Sequence, residues 1–288
     1  MTSTSESQPK SAEAVRRAAV VTHGKRGAIG PALERLEKVA REAGVELLLP
    51  DDEVAKHGVG ERDADLASAD IAVVLGGDGT MLRALHRFLG TDVPVVGVNF
   101  GRVGFLSSMG QSELESGLSR VFAGDYVVVE LPTLDVETAG SRHVAVNDAV
   151  VTSGVLGRMV ELEWAVDGED LGTQPCDGVI CSTPSGSTAY NLSNGGPVLM
   201  WGMDAMAITF VAPHSLHARP LVVPRGRNVV VRNTTDDVHV AVLVDGHHTT
   251  DCEPRGGAVT LRLGAEHSLL ATLPEATFVR RYRQSFAS

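Results

Sequence analysis

The apolar run Ile71–Leu75 breaks at Gly76-Gly77-Asp78-Gly79-Thr80, and Met81, Leu82, Leu85, Phe88 and Leu89 follow at helical spacing. A strand that feeds a glycine-rich turn and then a helix gathers backbone N–H groups at the positive end of the helix dipole, where anions bind. Glycine also lets a phosphate approach the backbone closely. Gly76, Gly77, Gly79 and Thr80 are therefore the candidate phosphate-binding residues of this turn. Asp78 is its odd member. A carboxylate repels phosphate, so it needs a second task. It could face a cation such as Mg²⁺, or take the proton from a hydroxyl about to attack phosphorus. The plain alternative is a helix N-cap or turn residue.

A longer cluster reads Asp177-Gly178-Val179-Ile180-Cys181-Ser182-Thr183-Pro184-Ser185-Gly186-Ser187-Thr188-Ala189-Tyr190-Asn191, with Gly195-Gly196-Pro197 soon after. Small hydroxyls around Pro and Gly suit hydrogen bonds to a base edge or a ribose, although an ordinary Ser/Thr-rich turn has the same composition. Asn147-Asp148 lies in a strand-like run. Asp245-Gly246 ends another, where Asp-Gly also reads as a hairpin turn. Other chemistries fail on spacing. The chain has no Walker loop, no dinucleotide fingerprint after its first strand, no protein-kinase signature and no serine-hydrolase elbow. Cys176 and Cys181 with His247 or His248 match no standard zinc spacing.

The elements around these residues fall into two kinds. Ala18–Thr22 is a short strand ending in His23-Gly24-Lys25-Arg26; Ile29, Leu33, Leu36, Ala40 and Ala43 then mark a helix that Gly44 stops. Val45–Leu49 and Val93–Val98 are further strands, the latter ending in Asn99-Phe100-Gly101, while the polar stretch Asp51–Arg62 has no defined form. This alternation predicts an α/β domain with a parallel sheet over residues 18–126. After Tyr126 the period changes to two. Val160, Leu162, Trp164 and Val166 point one way, and Asp167-Gly168 supplies a turn. Short strand-like runs recur through Ala145–Thr152, Val179–Ser182, Ala207–Val211, Asn228–Arg232, Val238–Val244 and Val259–Leu263, predicting a β-rich, antiparallel domain over 127–270. Residues 1–17 are expected to be a disordered tail. The basic segment 271–288, with Arg280, Arg281 and Arg283, is expected to pack back on the first domain.

Of the 288 residues 43% are hydrophobic, enough for a sizeable core, and 36 acidic against 25 basic residues leave a formal charge of −11. That balance excludes bulk nucleic-acid binding, which needs a basic face, and 4% aromatics exclude a base-stacking platform. An acidic protein that handles a nucleotide must use backbone N–H groups or a metal ion. The 31 glycines exceed the usual share of roughly 7%. Three cysteines without a C-x-x-C pair, the lack of a long apolar run and a polar start without a leader core predict a cytoplasmic protein with no membrane partner.

Taken together these motifs resemble the NAD kinase family. The likeness rests on Gly76–Thr80; Asn99 with Gly101 and Gly104-Phe105-Leu106; Asn147-Asp148; the Asp177–Tyr190 block with Gly195-Gly196-Pro197; and Pro213-His214-Ser215-Leu216 leading to Arg219-Pro220-Leu221. The first loop is shared with lipid kinases and phosphofructokinases; the second block is far more specific. Three positions depart from the family's habit: Asp148 replaces a Glu, Ser185 a frequent Thr, and Asn194 a small Ala. The resemblance implies an α/β domain followed by a β-rich domain with the active site between them, and transfer of the γ-phosphoryl of ATP, or of polyphosphate, to the 2′-hydroxyl of the adenosine ribose of NAD. It implies that Asp78 binds and deprotonates that hydroxyl while Gly77 and Gly79 approach phosphates. Asn147 and Asp148 would hold ribose and adenine groups. Ser185, Thr188, Ala189 and Tyr190 would line the adenine pocket with Phe105, and Asp177 and Asp245 would reach the far part of NAD. Lys25 and Arg26 are the cationic candidates for the donor phosphates, Mg²⁺ would arrive with ATP without assigned protein ligands, and the family's members are often dimers or tetramers. The other readings are a lipid or sugar kinase sharing the first loop, and a non-catalytic dinucleotide sensor that has lost the base.

Overall fold

Short, wholly apolar runs become buried parallel strands at the start of the chain, which is seen here in a computed structural model describing residues 13–23, 26–57, 65–101, 104–252 and 255–286. The chain divides into two units, Met1–Glu130 with Ser268–Ser288, and Leu131–His267. In the first, β1 (Arg17–Thr22) leads through α1 (Arg26–Ala43) to β2 (Glu46–Leu48), with Gly44 at φ +69° closing the helix. The polar stretch that followed no pattern opens as α2 (Asp51–His57), whose first turn holds Asp51, Asp52 and Glu53, favourable at a helix N-terminus. β3 (Ile71–Gly76), α3 (Asp78–Arg87), β4 (Val95–Asn99), the two-residue β5 (Met109–Gly110) and α4 (Leu114–Phe122) complete this part. The strands lie in the order β4-β3-β1-β2, all parallel, with Ala18 opposite Ile71 and Ala72 opposite Val95. Leu36, Leu75, Val96, Leu118 and Phe122 meet in the core.

That order has a consequence for function. From β1 the chain moves outward to β2, then returns to lay β3 on the other side of β1 and moves outward again to β4. Connections leaving β1 and β3 in opposite directions open a crevice at their carboxyl ends, where ligands of open α/β sheets bind. The Gly76–Thr80 turn stands there, and the His23 amide donates to the Leu75 carbonyl beside it (3.0 Å).

The second unit is a two-layered β structure. β6 (Val127–Glu137) leads into β7 (Arg142–Ala145), β8 (Asp148–Ser153), β9 (Val160–Val166), β10 (Glu169–Cys176) and β11 (Gly178–Ser182). After α5 (Tyr190–Ser193) come β12 (Ala205–Val211), β13 (Leu221–Pro224), β14 (Val229–Asn233), β15 (Val240–Val244), β16 (His247–Cys252) and β17 (Ala258–Thr272). One antiparallel sheet has the order β13-β12-β11-β8-β15-β16; in the other, β10-β9-β14-β17 run side by side and β6 pairs with β17 and β7. Leu134, Val151, Leu162, Ile208, Val231 and Val242 are buried in their shared core. Asp167 (φ +51°) and Gly168 (φ +83°) make the tight turn joining β9 to β10. The three cysteines are free and buried.

The end of β17 belongs to the first unit, where Leu270 pairs in parallel with Val95, and the chain finishes in α6 (Phe278–Phe286). Residues 1–12 of the expected tail lie outside the described residues; Val15 is buried, and the Arg16 and Arg17 amides donate to Asp70. None of the described helices is long and apolar enough to cross a membrane.

Candidate active site

Asp78 is the first residue of α3, with Gly77 before it in extended conformation (φ −103°, ψ −171°) and no side chain capping the helix. Its carboxylate turns away from the helix amides toward the backbone of residues 104–106. The Phe105 amide donates to Oδ2 at 3.0 Å, while Oδ1 is buried without a hydrogen-bond partner among the described residues. Any side chain at Gly104 would collide with the carboxylate, so only glycine lets this backbone come so close. Burial raises the pKa of Asp78, against the lowering effect of the Phe105 and Leu106 amides and of the Arg281 charge. Asp78 is thus not a cap. It is a buried acid with one oxygen held by the Phe105 amide and the other without a hydrogen-bond partner among the described residues.

The other residues of this turn divide by packing. Thr80 is buried beneath Gly76, where a Cβ would come within 2.6 Å of its Oγ1. Gly77 and Gly79 face open space. Nearby, Thr22 at the end of β1 donates from its amide (3.0 Å) and hydroxyl (2.5 Å) to the buried carboxylate of Glu53, and its carbonyl accepts from Arg83 (2.6 Å). Glu53, in the stretch given no defined form, and Arg83, within the helical stripe, carried no further sequence signal. Lys25 lies outside the described residues; Arg26 opens α1, and its side chain is likewise outside them.

The Phe105 ring, expected to line the adenine pocket, packs on the last helix of the chain. It is 7% exposed and packs on Phe278 (centroids 5.7 Å apart) and Phe286 (5.6 Å) of α6. Arg281 of the same helix is buried. It donates to the carbonyls of Phe105 (2.7 Å), Ser107 and Ala276 (3.1 Å) and to the Thr272 hydroxyl (2.8 Å). Burial pushes its pKa down to about 10, opposed by the Asp78 charge, and it stays protonated at neutral pH. The basic composition of this segment was visible in the sequence; its inward-facing member was not.

In the second unit a different cluster forms. Asn147 and Asp148 stand where β7 gives way to β8, and the Asp245 carboxylate accepts from the amides of Val146 (2.8 Å), Asn147 (2.7 Å) and Asp148 (3.0 Å). Asp245 itself sits at φ +50° ahead of Gly246 (φ +78°), in the tight turn between β15 and β16. Its carboxylate faces these backbone amides. The Ser185 hydroxyl donates to Asn147 Oδ1 at 2.9 Å, which joins the Ser/Thr-rich block to the same place. Asp148 is buried. Burial, and then the Asp245 charge, push its pKa up to about 7.

Most hydroxyls of the block hold the loop itself. Thr183 donates to the Val146 carbonyl (2.7 Å), Ser187 to that of Pro184 (2.7 Å), and Ser182 to that of Thr183 (3.1 Å). Gly186 lies against the Asn147 carbonyl, where no Cβ fits. The buried Asn191 ties Ser187, Pro197 and Thr209 together. The half-buried Thr188 donates to the Ser185 carbonyl (3.2 Å), beside exposed Ala189 and Tyr190. Asp177 is not brought to this cluster. It precedes β11 at the end paired with Thr152, whereas Ser182 at the other end pairs with Asp148. At about 3.4 Å per residue the two ends are roughly 14 Å apart. Asp177 and Asp245 thus lie at opposite ends of one sheet and do not meet the same ligand group within one chain.

The sequence and the fold both have known counterparts. A model of the ATP-NAD kinase N-terminal domain matches residues 34–126, and one of the ATP-NAD kinase C-terminal domain matches residues 146–272. The chain is similar to an NAD kinase of Gemmatimonas aurantiaca, 40% identical over 78% of this chain and 79% of the relative. It is also similar to NAD kinase 2 of Streptomyces avermitilis, 34% identical over 87% of this chain and 84% of that one. Among solved structures, yeast NADH kinase complexed with NADH superposes with a TM-score of 0.83 over 98% of this chain and 89% of the other, at 22% identity, a likeness of fold. An NAD kinase from Archaeoglobus fulgidus in complex with ATP gives 0.72 over 94% and 97%, at 26% identity.

Proposed function

This chain belongs to the ATP-NAD kinase family, and from that membership we propose that Asp78 is the base in its transfer of the γ-phosphoryl of ATP to the 2′-hydroxyl of the adenosine ribose of NAD, giving NADP. The observation that carries this reading is the state of the Asp78 carboxylate. One oxygen is held by the Phe105 amide and the other has no protein partner among the described residues, so a substrate hydroxyl can donate to it. Burial strengthens its affinity for that proton. The glycines beside it, Gly77 and Gly79, leave the backbone open to phosphate at the start of α3.

In the second unit, Asn147, Asp148 and Ser185 take the ribose and adenine groups, with Thr188, Ala189 and Tyr190 as the outer wall of the adenine site. Asp245 serves by holding the 146–148 amides. No three His, Cys, Asp or Glu side chains stand together as a metal cage among the described residues. Mg²⁺ enters with the donor as MgATP. A cytoplasmic protein acting as a dimer or tetramer completes the reading.

The test is a coupled assay of the purified protein with MgATP and NAD, reading NADP with an NADP-specific dehydrogenase. NADP formation that scales with enzyme supports the reading. Binding of NAD without turnover supports a sensor, and phosphorylation of a lipid or sugar with no NADP supports the kinase relatives that share the first loop.

A further inference from the structure

Arg281 lies beyond residue 272, outside both matched spans, yet its guanidinium reaches into the first unit and is only 5% exposed. A buried cation needs a reason, because removing a charge from water is costly unless it is hydrogen-bonded and balanced. It donates to the carbonyls of Phe105, Ser107 and Ala276 and to the Thr272 hydroxyl. Among the described residues Asp78 is an anion whose charge acts on it.

Between the two charges lies one short piece of backbone. The Phe105 amide donates to Asp78 at 3.0 Å, and the Phe105 carbonyl accepts from Arg281 at 2.7 Å. We propose that Arg281 is a positioning residue for Asp78: its Nη1, held in place by the bonds of Nε and Nη2, fixes the carbonyls of residues 105 and 107, and the amides of the same segment hold the carboxylate in reach of the substrate hydroxyl. The proposal rests on the reading of Asp78 as base. Two features argue against mere anchoring of α6. Aromatic contacts of Phe105 with Phe278 and Phe286 already dock that helix. Arg280 and Arg283, on its exposed side, show that a basic helix did not require a buried guanidinium. Donor number matters too: Nη1 takes the Phe105 and Ser107 carbonyls while Nε and Nη2 hold the Ala276 carbonyl and the Thr272 hydroxyl, and a lysine carries the charge with one nitrogen for all four acceptors.

The experiment uses the full chain as wild type, Arg281→Met, Arg281→Lys, Asp78→Asn and, as control, Arg283→Met. Steady-state kinetics are measured across pH, and hydrogen exchange is followed at the 105–107 amides. For Arg281→Met, kcat falls at least about tenfold with KM for NAD within about threefold, since small misplacement of a reacting group is felt in turnover. The limb on which activity is lost on the acid side moves to higher pH, because Arg281 is the charged side chain that acts on Asp78 among the described residues. The amides of the loop exchange faster. Arg281→Lys loses kcat but keeps the limb in place, and Arg283→Met behaves as wild type. Should Arg281→Met fail to fold, Arg281→Lys decides through kcat and exchange. A kcat within twofold of wild type in the folded Arg281 variants overturns the proposal, as does a fall in kcat and KM together with an unmoved limb and unchanged exchange. A wild type that makes no NADP overturns the kinase reading and the proposal with it. An active wild type, inactive Asp78→Asn and unaltered Arg281→Met overturn the proposal alone.

Discussion

Asp78 and Asp148 are both buried acids, and what surrounds their oxygens sets different consequences for each. Asp78 has a backbone amide on one oxygen and a distant positive charge, so that burial raises its pKa only against resistance. As a base it must be ionised, so turnover is lost as pH falls through its raised pKa. Replacing it with Asn keeps the shape and removes the basicity; kcat should fall by about 10²- to 10⁴-fold, with KM for NAD changed only a few-fold. Steady-state kinetics check this, and turnover within a few-fold of wild type would show that the loop merely positions phosphates. Burial and the Asp245 charge push Asp148 up to about 7, so the folded state holds its proton more tightly than the unfolded chain. The sign follows from linkage. Its stabilisation is complete below the ordinary carboxylate range near 4 and is lost as pH rises through about 7. Asp148→Asn should therefore stabilise the protein more at pH 8 than at pH 4, by an amount on the order of a few kcal/mol at most. Urea unfolding at the two pH values reads this directly; equal differences between variant and wild type at both would contradict it.

The turn between β15 and β16 does its work at the scale of an element. It carries Asp245 at positive φ and turns its carboxylate onto three successive amides where β7 passes into β8. Each bond to a charged acceptor is worth roughly 1.5–3 kcal/mol, and these three share one buried acceptor. Asp245→Ala should cost about 3 kcal/mol or more and raise KM for NAD, because Asn147 and Asp148 lose their placement. Asp245→Asn keeps an oxygen for the Asn147 and Asp148 amides but sets an NH₂ against that of Val146, so it should fall between. Denaturation midpoints and KM order the three proteins, and an alanine variant as stable as wild type would show the turn to be passive. This division of labour also marks what the sequence could disclose. Apolar runs such as Ile71–Leu75 declare buried strands, and Asp167-Gly168 declares its turn, because the signal is local. β10 (EDLGTQPC) escaped, being polar and mostly exposed and held by its partner β9. Ser182, Thr183 and Ser187 looked like ligand hydroxyls, but composition cannot tell a hydroxyl that holds its own loop from one that faces a ligand. Arg281 and Asp245 act over 176 and 97 to 99 residues of sequence, a separation no motif encodes.

At the scale of the whole molecule the governing quantity is charge. The chain carries a formal −11, and its substrates are a triphosphate and a pyrophosphate, both anions. Among the residues around Asp78 the buried cation, Arg281, is engaged with carbonyls and a hydroxyl, and Arg83 is engaged with the Thr22 carbonyl. Among the described residues, positive potential for phosphate is offered by helix dipoles and amides, worth about 0.3–1 kcal/mol at an exposed helix end, and an ion brought by the substrate adds to it. Phosphoryl transfer spreads charge over the equatorial oxygens of the γ-phosphoryl, and that charge needs a counter-charge at close range. Full activity should accordingly require a divalent cation. Excess EDTA should abolish NADP formation, Mg²⁺ should restore it, and plain NaCl of equal ionic strength should not. The salt arm separates two effects. General screening lowers the repulsion between an acidic protein and its anionic substrates, so it should improve kcat/KM modestly in the presence of Mg²⁺. Only a bound divalent ion supplies concentrated charge at the transferring group. Undiminished NADP formation in excess EDTA would mean that the protein's own amides and cations suffice, and the charge argument would fail at its root.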